Sequence, residues 1–267
     1  MRLPTYFISH GGGPWPWMAE REAMYRNLAA SLAAMPREFA AARALLVVTA
    51  HWEETAFTVQ GSARPPMLYD YYGFPAHTYE VVYPAPGDPQ LAERVRALVA
   101  GAGLPAAIDA VRGFDHGTFT PLAVMRPAAD LPVVQVSLKA DFDPAEHLAL
   151  GRALAPLRDA GVVIIGSGLS YHNLRAMGPA ARAPSKAFDD WLGAAMAAAP
   201  EARERALIDW EQAPAARFAH PREEHLLPLM VAAGAAAGET AARIYHEDDF
   251  FGGVSVSSFR FGAVPPA

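Results

Sequence analysis

Three short apolar runs in this chain each lead into a histidine: TYFIS precedes His10, ALLVVTA precedes His51 and VVIIGSGLSY precedes His172. Runs this short, rich in β-branched residues and bounded by turn residues, read as buried strands. Strands are expected at about 5–9, 44–50, 56–60, 107–112, 132–138, 162–167 and 253–261. Helical patterns fall between them, near 20–35, 89–102, 145–160, 185–198, 201–208 and 223–237. Helices alternating with strands confine the chain to an α/β layered fold. The last strand alternates cleanly (GGVSVSSFRFG) and calls for an antiparallel member. The expected architecture is therefore a single domain over residues 1–267, with a central mixed, mostly parallel sheet flanked by helices. In such a sheet the carboxyl ends of the strands form the crevice that binds ligands, so histidines placed there converge.

Composition narrows what could meet at that crevice. The 267 residues are 52% hydrophobic and 19% charged, enough for a substantial core and unlike a disordered chain. The net charge of −6 and the lack of a basic cluster argue against nucleic-acid binding. Cysteine is absent, which removes disulfides, thiolate nucleophiles and thiolate-bound zinc. Any metal would have to be held by histidine and oxygen ligands. The first residues lack the apolar core of a signal peptide, and no apolar stretch is long enough to span a membrane. A cytoplasmic protein, monomeric or a small homo-oligomer, is the expectation.

The segment from Arg64 to Gly87 follows neither periodicity. It is crowded with Pro, Tyr and Phe, and an aperiodic loop of this length inside a domain is expected to be a functional cover. The other histidines are less constrained. His116 lies between Gly113 and Gly117 in RGFDHGTFTPL, in what reads as a loop, and taken alone it reads equally well as a turn histidine. His220 and His225 flank Pro221; a proline at the first helical position would put His225 about one turn into the helix, next to Glu224. His147 and His246 read as loop or exposed-helix residues, and His77 falls within the cover. GSGLS does not match a nucleophile elbow, nor HGGGP a phosphate loop.

Seven segments, in order from end to end, carry a family likeness: FISHGGGP, VVTAHWE, YGFPAHTYEVVYPAPG, GFDHGTFTPL, LPVVQVSL, GSGLSYHNL and REEHLLPL. Together they resemble the class III, LigB-type extradiol ring-cleavage dioxygenases, most nearly the DOPA 4,5-dioxygenase branch. The resemblance implies that His10, His51 and His225 ligate a divalent metal, with Glu224 the alternative for the third position. It implies that His172 is the acid/base histidine, near enough to be a further ligand, and that His116 contacts substrate or supports the ligands. HGGGP stands where relatives commonly carry HGSP, which bears on pocket shape and substrate.

The implied chemistry suits the residue types. Cleavage of a catechol by non-haem Fe(II) needs a facial set of neutral or anionic ligands with open positions for the diol and O2. A histidine of ordinary pKa near 6.5 can serve as base and then as acid. Tyr69, Tyr71, Tyr72 and Phe74, with His77, are expected to contact the planar ring and exclude water. Expected partners are a small aromatic diol (DOPA, caffeate or protocatechuate-like) and O2. Zn(II) would bind such a site as readily, so a zinc-dependent hydrolase and a catalytically silent binding protein stay open as alternatives.

Overall fold

The computed structural model describes residues 2–265. Eight strands form one sheet: β1 (Thr5–Ser9), β2 (Ala44–Glu54), β3 (Phe57–Gln60), β4 (Ala106–Asp109), β5 (Val133–Lys139), β6 (Val162–Gly168), β7 (Ala241–Phe250) and β8 (Val254–Phe261). Their spatial order is β4-β3-β5-β2-β6-β1-β8-β7. The central four, β5, β2, β6 and β1, are mutually parallel. β8 adds to β1 antiparallel, and β7 closes that side. The sheet is therefore mixed and mostly parallel at its centre, as the alternating pattern predicts.

Helices α1 (Glu22–Ala34), α2 (Pro89–Gly101), α3 (His116–Met125), α4 (Pro144–Leu154), α5 (Arg182–Ala197), α6 (Pro200–Ile208), α7 (Ala216–Ala219) and α8 (Leu227–Ala235) flank it. Asp88 and Asp143 start α2 and α4 by accepting two backbone N–H groups each, with proline at the first turn of both helices. Among the described residues no helix is long and apolar enough to cross a membrane.

Four departures from the expected elements have physical causes. α3 replaces a predicted loop, because nearly all its residues are buried and it has no polar face to reveal a period. β7 was not expected; its acidic stretch hides the strand pattern, and it lies at the sheet edge, where polar residues are tolerated. The predicted 223–237 helix begins only at Leu227, so His225 lies before it in the approaching turn, not one turn inside. His147 is fully buried in α4 rather than exposed, with both ring nitrogens bonded to backbone.

Candidate metal centre

The site forms where β1, β6 and β2 end side by side. His10 follows β1 directly. Its N–H donates to the Gly168 carbonyl at 3.1 Å, and its own carbonyl accepts the Trp15 indole N–H at 2.9 Å. His51 sits on an irregularity: β2 advances from Val48 to Glu53 while β5 advances only from Val136 to Leu138. A bulge of this kind re-aims side chains, and here it turns an imidazole toward His10. His225 arrives from the turn before α8. Gly168 admits it, because a Cβ there would lie 2.1 Å from the His225 carbonyl oxygen. The Leu169 N–H then donates to that oxygen at 3.1 Å.

Three ring nitrogens meet as a result. His51 Nε2 lies 3.3 Å from His10 Nε2 and 3.3 Å from His225 Nε2. Imidazole nitrogens each about 2.1 Å from one metal ion stand roughly 3.0–3.4 Å apart at octahedral to tetrahedral angles. Burial, reinforced by neighbouring imidazoles, pushes the pKa values of His10, His51 and His225 well below the ordinary range. They are neutral at physiological pH, the form that offers a lone pair.

Two carboxylates set the tautomers from behind. Glu224 Oε1 accepts the Nδ1–H of His225 at 2.9 Å and of His172 at 3.0 Å. Asp70 Oδ1 accepts from His116 Nδ1 at 2.8 Å, and Asp70 Oδ2 lies 3.4 Å from His51 Nδ1. A proton fixed on Nδ1 leaves Nε2 free, which is how carboxylates prepare histidines to bind metals. Burial alone would raise the Glu224 pKa, but the hydrogen bond and charge of His172 bring it below the ordinary carboxylate value. A further buried layer supports His51. Asp115 accepts from Thr49 Oγ1 at 2.8 Å and Gln135 Nε2 at 3.0 Å, while Arg112 donates to the His51 carbonyl at 3.2 Å. Burial and the nearby Asp70 push Asp115 up to about 6.

All five predicted histidines come together. His116 has its ring centroid 3.9 Å from that of His51 and 5.4 Å from that of His10; the His172 ring stacks on His225 at 3.3 Å. They line a cavity of about 680 Å³ with Tyr71 and Phe74, within the usual size for small-molecule sites. The other cover residues are elsewhere. Tyr72 is 91% exposed, His77 Nε2 bonds the Trp17 carbonyl, and the Tyr69 hydroxyl donates to the Val81 carbonyl; none of the three lines the cavity. Sequence reasoning missed Asp70, which carries no signal within an aperiodic aromatic loop. The loop is fastened to the segment before α3 by an isolated bridge, Phe114 N–H to Pro66 O and Leu68 N–H to Phe114 O, each at 2.8 Å. That zipper brings Asp70 beneath His116 and His51.

A histidine-rich, carboxylate-backed cavity at the ends of parallel strands gives this α/β protein clustered side chains that could hold a metal ion. The family follows from comparison. Residues 4–262 match the model of the catalytic LigB subunit of aromatic ring-opening dioxygenase, and the chain belongs to that family, the LigB-type extradiol ring-cleavage dioxygenases. A Beta vulgaris 4,5-DOPA dioxygenase extradiol is 41% identical, over 82% of this chain and 82% of the relative. An Escherichia coli protein of the same name is 33% identical over 98% and 95%, and Dioxygenase tasH of Hapsidospora irregularis 37% over 97% and 85%. The crystal structure of an uncharacterized protein from Escherichia coli K12 superposes with a TM-score of 0.78 at 29% identity, covering 98% of this chain and all of that one.

Proposed function

We propose that the protein opens the ring of a catechol with O2, using Fe(II) held by His10, His51 and His225. The approach of His51 Nε2 to His10 Nε2 and to His225 Nε2, each at 3.3 Å, on rings that burial keeps neutral, carries this reading. The donor set suits a non-haem divalent ion, and Zn(II) suits it too. When bound, Fe(II) supplies Lewis acidity toward the diol and the redox route by which O2 reacts with the ring. Glu224 takes a supporting part, because its Oε1 is committed to the Nδ1 atoms of two histidines.

The remaining work falls to the protein's own groups. His172 has Nδ1–H committed to Glu224, so Nε2 is its basic nitrogen. That nitrogen takes a proton from a ring hydroxyl, and the imidazolium is stabilised by the Glu224 carboxylate; the proton is later returned to the opened product. His116, oriented through Nδ1 by Asp70, presents Nε2 as a hydrogen-bonding group toward the substrate. Tyr71 and Phe74 cover the ring plane and exclude water. The relatives named 4,5-DOPA dioxygenase extradiol support a catechol with a side chain as substrate, and the 4,5 bond as the one cleaved.

The test is direct. Protein reconstituted anaerobically with Fe(II) is mixed with a panel of catechols, and oxygen is admitted. A yellow semialdehyde product with matching O2 uptake is expected; no uptake with any catechol would sink the reading, and ester or amide turnover with Zn(II) would favour a hydrolase instead.

A further inference from the structure

Two arginines line the cavity, and they differ in one respect. Arg222 is neutralised: it donates to both oxygens of Glu53, and its guanidinium lies over the Phe142 ring. Arg21 lies within ion-pair distance of no carboxylate among the described residues. The cavity's three carboxylates are committed elsewhere, Glu53 to Arg222, Asp70 to His51 and His116, and Glu224 to His172 and His225. Arg21 is thus the charge in this wall left without an opposite partner among the described residues.

Its position is built. The guanidinium carbon sits 5.3 Å from the centroid of the Phe74 ring, an attractive arrangement, and one donor of the fork reaches the Tyr25 hydroxyl. Phe74 in turn rests on Gly13. A Cβ at Gly13 would come within 2.8 Å of that ring, and the residue has φ +58. The third glycine of the His10-Gly-Gly-Gly run therefore admits the aromatic plate on which Arg21 lies. The distinctive glycine run and the unpaired cation belong to one structure.

We propose that Arg21 is a specificity-determining residue: its guanidinium binds a carboxylate on the side chain of the aromatic diol while the histidine face takes the ring hydroxyls. The protein would then favour catechols bearing an acidic substituent over neutral ones. The planar fork of donors matches a carboxylate's two oxygens. The diol end of this arrangement rests on the ring-opening reading; the anion end rests on Arg21 itself.

The test separates the two. Zn(II)-loaded protein, kept free of O2, is titrated calorimetrically with 3-(3,4-dihydroxyphenyl)propionate and with its uncharged amide. The acid is expected to bind more tightly by on the order of tenfold to a hundredfold, the range of a charge-assisted hydrogen bond. Arg21→Gln is expected to bring the ratio close to one, and Arg21→Lys to keep part of it. Raising ionic strength must shrink the wild-type preference, which tests the point without any substitution. Equal binding of acid and amide by the wild type, or a preference that survives Arg21→Gln, overturns the proposal. An acid preference in a protein that consumes O2 with no catechol would support the anion site while the ring-opening reading falls.

Discussion

Two carboxylates each hold two imidazoles, but they reach the site by opposite routes. Glu224 belongs to the turn that enters α8, pressed against β6, where Gly166 and Gly168 let the Pro228 and His225 carbonyls approach closely. Its two bonds, to His172 and His225, are 3.0 and 2.9 Å long. Asp70 belongs to the aperiodic cover, pinned by two backbone bonds to Phe114 in the segment before α3; its contacts are 2.8 Å to His116 and 3.4 Å to His51. One half of the centre is therefore oriented by the core and the other by a surface loop. The cover carries a carboxylate that bonds one of the five site histidines, His116, and lies against a second, His51.

The largest effect should come from the proposed ligand that both carboxylate pairs adjoin. His51 touches His10 and His225 through Nε2 and Asp70 through Nδ1. His51→Ala is expected to lower Fe(II) or Zn(II) affinity by more than about a hundredfold, beyond the usual cost of losing a supporting group. Metal analysis after equilibrium dialysis reads this. His172→Ala should keep most of the metal yet lose turnover by roughly a hundredfold to ten-thousandfold. Normal metal binding in both variants would mean the ligands are misassigned.

The carboxylates themselves come next. Glu224→Gln is expected to weaken metal binding by about tenfold to a hundredfold, and Asp70→Asn by about tenfold, since the Asp70 contact with the proposed ligand His51 is the longer one. A greater loss from Asp70→Asn would invert the comparison and make the cover the dominant scaffold. Further from the chemistry, Gly168→Ala would set a methyl group against the His225 carbonyl. The cost should be about 1–3 kcal/mol of stability, the usual range for overpacking, measurable by denaturant unfolding, with a parallel loss of metal affinity. An unchanged midpoint would show that the β6–His225 contact gives way freely.

What could be read in the sequence follows the same division. The strands that lead toward His10, His51 and His172 were legible because buried parallel strands are continuous apolar runs, and strand ends face a common crevice. His225 was marked out both by its place after Pro221, near an expected helix start, and by the ordered family motifs, but its position before α8 was not legible, since Pro221 looked like a helix start. Asp70 and Arg21 were invisible: both act through partners distant in sequence, brought close by a loop without periodicity and by a glycine whose role is to admit Phe74. α3, with His116 at its first position, was hidden by the absence of any polar face.

His147 sharpens the comparison by being a buried neutral histidine with no metal role. Its Nδ1–H donates to the Asp143 carbonyl at 2.7 Å, and its Nε2 accepts the Lys139 N–H at 3.3 Å. A second proton would have to displace that donor inside the core, and burial lowers the pKa to about 4. Below the unfolded value of about 6.5 the unfolded chain binds the proton and the folded one does not. This residue therefore costs the fold stability as pH falls from about 6.5 toward 4, on the order of 1 kcal/mol by about pH 5.5. The cost is absent above about pH 7.5. His147→Gln should be less stable at pH 8, having lost the ring that packs edge-on to Phe57. Its further loss between pH 8 and 5.5 should be smaller than the wild type's by that amount. Urea unfolding of metal-free protein at the two pH values measures both, and an unchanged difference would remove His147 from the acid response, leaving it to the crowded imidazoles of the site.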